Sequence, residues 1–166
     1  TPFPDPTIIL GHNGELWVPM HGVVPHSQLK TLLKNLDQYM DGQKDIIDSH
    51  DIAWAITTVP AGPSGVLVEP NLYWRDERSA LTESYLSESY LDQKQKYAAD
   101  ASARAAVRQL REGMIDVFRA LGAAHLQIGR VYPYLESRSP AVQALLKALK
   151  AQLDPQGRMN PGSLGL

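Results

Sequence analysis

The chain has 166 residues, 16 Lys+Arg against 18 Asp+Glu for a net charge of −2, and no cysteine. That length is one domain's worth with room for a core, and the lack of thiols excludes disulfide frameworks, thiolate metal sites and cysteine nucleophiles. A near-neutral balance without a basic run argues against a nucleic-acid partner, and no stretch approaches the ~20 apolar residues of a membrane span, so a soluble domain in the cytoplasm is expected.

The first six residues, TPFPDP, read as an extended, proline-stiffened linker that does not start with methionine, which suggests the end of a longer chain. Gly11 to Gly14 (GHNG) is a turn signal ahead of a β-branched strand over 16–24, in which Pro19 demands an edge or a bulge. Leu29, Leu32, Leu33, Leu36 and Met40 share one helical face, predicting a helix over 27–41 with Ser27 as N-cap. Strands are expected over 52–59 and 65–74, paired across the turn PAGPSG. The stretch 83–103 contains ESYL twice, five residues apart. That period turns the copies by ~140° on a helix, so they share no face and read as chance or a mobile excursion. Val107, Leu110, Met114, Val117, Phe118 and Leu121 mark a second helix ended by Gly122. A fourth strand is expected over 125–132, although its alternation is imperfect. The last helix opens on Ser139-Pro140 and carries Val142, Leu145, Leu146, Leu149 and Leu153, a stripe that predicts a place in the core. Its first six elements follow the split β-α-β-β-α-β order of ferredoxin-like α+β domains, an antiparallel sheet with helices on one face, to which a C-terminal helix is added.

Of the five histidines, none forms a helical pair or a metal-ligand spacing. His21 is read either as a group projecting from the open face of the first strand, serving as acid/base or hydrogen-bond donor, or as a partly exposed strand histidine. Arg130 lies inside an otherwise apolar strand beside the aromatic pair Tyr132 and Tyr134. It either meets an anionic ligand, which the two phenols shield, or snorkels to solvent and pairs with Glu136. Gly129 would let a backbone or planar ring come close. The tail, LDPQGRMNPG over 153–162, is a turn-rich loop in which Gly157 permits positive φ and Asn160-Pro161-Gly162 suits a tight turn.

This tail resembles the C-terminal signature of the FAD-linked oxidases of the vanillyl-alcohol oxidase and 4-cresol methylhydroxylase superfamily. PMHGVVPHS over 19–27 and HLQIGRVYPY over 125–134 are similar to two further segments of that family, a strand-to-helix passage and a late strand that brings an arginine to the active site. The resemblance implies a division into a linker over 1–15 from an N-terminal FAD-binding domain, a cap or substrate domain over 16–153 and a tail over 154–166. The FAD would be held mainly by that companion domain. It further implies Arg130 and Tyr132 as catalytic residues, His21 and Tyr134 as substrate-binding ones and Asn160 as a cofactor contact. The expected reaction is oxidation of a small alcohol or substituted phenol by hydride transfer to flavin, without a metal. Residues 60–68 hold neither the His nor the Tyr that links flavin in some members, so no covalent bond is expected from there. The tyrosine that usually precedes the family's arginine is replaced by Gly129. The competing reading is a free-standing ferredoxin-like domain that dimerises through its sheet and carries out no redox chemistry.

Overall fold

The longest strand sets the frame of the molecule. In the computed structural model, which describes residues 10–127 and 129–166, Gly65–Trp74 lies at the centre of an antiparallel sheet. Four strands are involved: β1 (Leu16–Pro19), β2 (Gly22–Pro25), β3 (Ala53–Pro60) and the central β4. β3 runs the length of β4, from Ala53 opposite Tyr73 to Pro60 opposite Val66. β1 and β2 share the other edge, Leu16 facing Trp74 and Gly22 facing Val68. The register is the same in both, and the Met20 N–H still donates to the Pro70 carbonyl at 2.8 Å between them. The pair is therefore one expected strand interrupted at Met20 and His21, with Pro19 on the edge, where a missing N–H costs no ladder bond. The preceding turn is closed by a bridge between Leu10 and Leu16. The predicted linker over 1–6 lies outside the described residues.

Alternation along β4 sends Val66, Val68 and Leu72 to the covered face. Helix α1 (Leu29–Asp41) adds Leu32, Leu36 and Met40 to this layer, as the heptad-like spacing requires. It opens through a 3-10 turn over His26–Gln28, and the Ser27 side chain caps nothing, contrary to expectation. Its first N–H groups are entered from helical geometry at Gln28, leaving no extended residue to act as cap. A short helix, α2 (Lys44–Ser49), leads into β3. The two ESYL copies fall in separate short helices, α3 (Ala80–Tyr85) and α4 (Glu88–Leu91). The excursion containing them is clamped at its base by buried Asp76, which accepts from the Asp100 N–H at 2.8 Å and pairs with Arg104 at 3.1 Å.

Helix α5 (Ala101–Ala120) starts at an Asp100 side-chain cap and buries seven residues, among them Leu110, Met114 and Phe118. Phe118 lies flat on the sheet at Gly22, where a Cβ would come within 2.3 Å of its ring. Gly122, at φ 64°, ends the helix turn as its position suggested.

Two expectations fail beyond this point. The segment 125–132 forms no strand among its described residues; the ladder beside β2 is a single bridge between Val23 and Ala124. Ile128 itself lies outside the described residues. Helix α6 (Pro140–Leu153) has its Ser139 cap and N-terminal proline but buries no residue, with Leu145 59% and Leu153 71% exposed. The helix is amphipathic as predicted, yet among the described residues its stripe stays largely uncovered, with only Leu146 partly buried. The layout is nevertheless that of a split β-α-β-β-α-β sheet with α1 and α5 on one face, its fourth strand reduced to Ala124.

Candidate functional site

The missing fourth strand is replaced by side chains. On the outer edge of β2 the Val23 N–H and C=O bond to Ala124 in both directions. Two residues earlier, the equivalent backbone groups of His21 have no strand beside them. The Tyr132 hydroxyl accepts from the His21 N–H at 3.0 Å, and His125 Nδ1 donates to the His21 carbonyl at 2.7 Å. The His21 ring completes the exchange, because its Nε2 accepts from the Leu126 and Gln127 N–H groups, each at 2.9 Å. Those are donors a regular strand would have offered to its neighbour. Backbone groups denied a ladder are satisfied by side chains instead, as burial requires.

This geometry fixes the tautomer. A nitrogen that accepts from two N–H groups carries no proton, so the His21 proton sits on Nδ1 and donates to Tyr132 Oη at 3.1 Å. His21 is only 4% exposed, and burial first, then the neighbouring His125, pushes its pKa below the usual value. Burial likewise lowers the pKa of His125 and raises that of Tyr132. Tyr132 stacks on His125 with ring centroids 4.1 Å apart and meets His21 edge-on at 4.8 Å. The three rings form one closed cluster.

Arg130 stands apart from it. The residue is exposed and lies in a groove of about 390 Å³ between the 130–131 segment and one flank of α5. Glu136 does not pair with it, but lies 3.7 Å from Arg119, which also bonds Asp116 at 2.9 Å. Tyr134 is half-buried with the Arg138 guanidinium 5.0 Å above its ring. The Gly129 carbonyl accepts from the Leu164 N–H of the tail, but a Cβ at Gly129 would meet nothing within 4 Å, so the close approach expected at that glycine is not what its missing side chain serves here.

The tail is built around Asp154. Its carboxylate accepts from the Arg158 N–H at 2.8 Å, the Met159 N–H at 2.9 Å and Lys150 Nζ at 2.6 Å, and Lys150 also donates to the Met159 carbonyl. The Lys150 ammonium, ahead of the two backbone donors, holds the Asp154 pKa below the ordinary carboxylate range. Gly157, Asn160 and Gly162 take positive φ of 62°, 45° and 75°, as the turn residues suggested. Asn160 is exposed at the tip of this loop. The structure thus brings His21 and Tyr132 together and leaves Arg130, Tyr134 and Asn160 in separate surroundings. Sequence reading missed Asp154 and Lys150 as a pair, although their i,i+4 spacing across a helix end was visible. It also missed the arginines of α5 at 108, 111 and 119, which share a flank with Ile115 at a period close to one helical turn.

Among the described residues no cluster of His, Asp and Glu is arranged to hold a metal, and no helix is long and apolar enough to cross a membrane.

Residues 120–164 match the family model described as FAD linked oxidases, C-terminal domain. The likeness read from the tail and from the Arg130 segment is thus to a family of that description, over the C-terminal segment of the chain. The match begins at the last residue of α5 and takes in Arg130, Tyr132, Tyr134, the Asp154 loop and Asn160; His21 falls outside it. No curated protein and no solved structure matches the chain.

Proposed function

We propose that the chain is the substrate-side cap of an FAD-dependent oxidoreductase that oxidises a small alcohol or substituted phenol, working with a companion domain that holds most of the cofactor. The observation that carries this reading is the family match over 120–164, which spans four of the five residues assigned to the site. The shape of the sheet supports it. On the face opposite α1 and α5, β3 presents Ala53, Ala55 and Thr57, all exposed and small, beside Tyr73 on β4 and Trp17 on β1. Trp17 Nε1 donates to Asn71 Oδ1 at 2.7 Å, which holds the indole against the sheet. Small side chains flanked by an indole and a phenol, with Asn71 and Glu69 on the same face, leave room here for a planar ring with polar edges.

When bound, the flavin supplies the hydride acceptor. The chain's own residues supply position and charge. Arg130 stabilises negative charge on a substrate oxygen. Tyr132 is the positioning residue for it: locked on His21 and His125, it fixes the segment that carries Arg130 two residues before. His21 is held neutral by its two backbone donors and so shapes the pocket rather than moving a proton. Tyr134 adds an aromatic wall, and Asn160, on the exposed loop tip, reaches the cofactor held by the companion domain.

The test is Arg130→Ala in the complete flavoprotein, following bleaching of the oxidised flavin near ~450 nm. A loss of roughly 10²–10³ in the reductive rate is expected for removal of a group that stabilises developing charge. Reduction at the original rate removes Arg130 from the mechanism.

A further inference from the structure

The groove beside α5 carries more positive charge than the structure around it compensates. Arg108, Arg111 and Arg119 line it from the helix and Arg130 from the facing segment, against two carboxylates, Glu112 and Asp116. Asp116 is engaged by Arg119. Among the described residues, Arg108, Arg111 and Arg130 make no ion pair, and Arg111 Nε is buried without a hydrogen-bond partner. A buried guanidinium donor left without an acceptor is costly and calls for one from outside the chain. In a protein of net charge −2, several guanidinium groups converging on one concavity are not a consequence of composition.

We infer that this groove is a binding site for a small phosphate monoester. The helix repeat places Arg108 and Arg111 on adjacent turns of one flank, and Arg130 closes the groove from the opposite wall, so that planar forks approach one anion from two sides. A carboxylate carries one charge and is satisfied by one fork, whereas four guanidiniums against two carboxylates leave an excess of two positive charges, which matches the −1.5 to −2 charge of a phosphate monoester. The volume, about 390 Å³, exceeds what inorganic phosphate needs and lies in the usual range of small-molecule pockets. Ile115 and Val131 give the rest of the ligand an apolar wall. The site shares Arg130 with the oxidoreductase reading, but its other guanidiniums are on α5 and no flavin is needed to fill it.

Titration calorimetry of the 166-residue chain with phenyl phosphate tests this in the absence of flavin. Saturable one-to-one binding is expected, weakening as salt rises, with benzoate and inorganic phosphate each at least tenfold weaker. Arg108→Gln and Arg111→Gln should each weaken phenyl phosphate by roughly tenfold, while Arg75→Gln, which removes the same charge from a pair with Asp51 elsewhere, leaves it unchanged. Thermal melts of the variants confirm that they are folded. No saturation, benzoate binding as tightly as phenyl phosphate, or an equal loss in Arg75→Gln would each overturn the proposal. Because the readout is binding without flavin, either outcome leaves the Arg130 reduction experiment to be judged separately.

Discussion

Helix α5 presses seven residues, from Ala103 to Phe118, into the core, whereas α6, with five apolar side chains on one stripe, buries none. The same contrast divides the chain. Up to Leu121 the fold rests on apolar side chains packed between α1, α5 and the sheet. From Ala124 onward, beside the buried Tyr132 and Leu135, it rests on polar side chains that satisfy backbone groups: His21 for Leu126 and Gln127, Tyr132 for His21, and Asp154 for the tail. Apolar burial is non-directional and tolerates small adjustments. A carboxylate or imidazole that serves two backbone donors does not, and its failure is local.

That difference gives three ways to break the comparison, starting with the largest effect. Phe118→Ala should cost about 3–5 kcal/mol, because it empties the contact between α5 and the sheet; chemical denaturation should show the whole cooperative transition moving to lower denaturant. His21→Ala should cost less, about 1–3 kcal/mol for the donors it strands, and hydrogen exchange should show Leu126 and Gln127 losing protection while α5 keeps its own. Acid should imitate this variant. The folded-state pKa of His21 is lowered, so the unfolded chain binds more protons; the contribution is fully present above about pH 6.5 and is lost as pH falls below it through the folded value. A histidine NMR titration with no midpoint below that of a free imidazole would contradict the assignment. Leu149→Gln on α6 should change stability by no more than about 0.5 kcal/mol in this chain. A larger loss would mean that the stripe is covered, and that the two regions are more alike than they look.

The first region was readable in the sequence because periodicity reports which face of an element is apolar, and in α1, β3, β4 and α5 that face met the core. The same signal in α6 was true of the helix and silent about its covering. The 125–132 strand was missed for a different reason. What competes with its ladder is a histidine more than a hundred residues earlier in the chain, and no local pattern carries that information. Arg130 was singled out as a charge inside a strand that does not form, and its neighbours on α5 were hidden in a helix read only for its apolar stripe. In the tail, glycine and asparagine at the turn positions announced their backbone geometry, while the Asp154 carboxylate that ties the loop together looked like an ordinary helix stop.

Gly22 gives the molecule its datum plane. Because position 22 has no side chain, the Phe118 ring lies directly on the strand, and the height of the last turns of α5 above the sheet is set by backbone rather than by a flexible group. Everything after α5 is measured from there: Ala124 reaches Val23 only if the helix ends at that height, and His125 and Tyr132 find His21 only if Ala124 has done so. The positions of Arg130 and of the tail are thus calibrated by a methyl group that the chain leaves out.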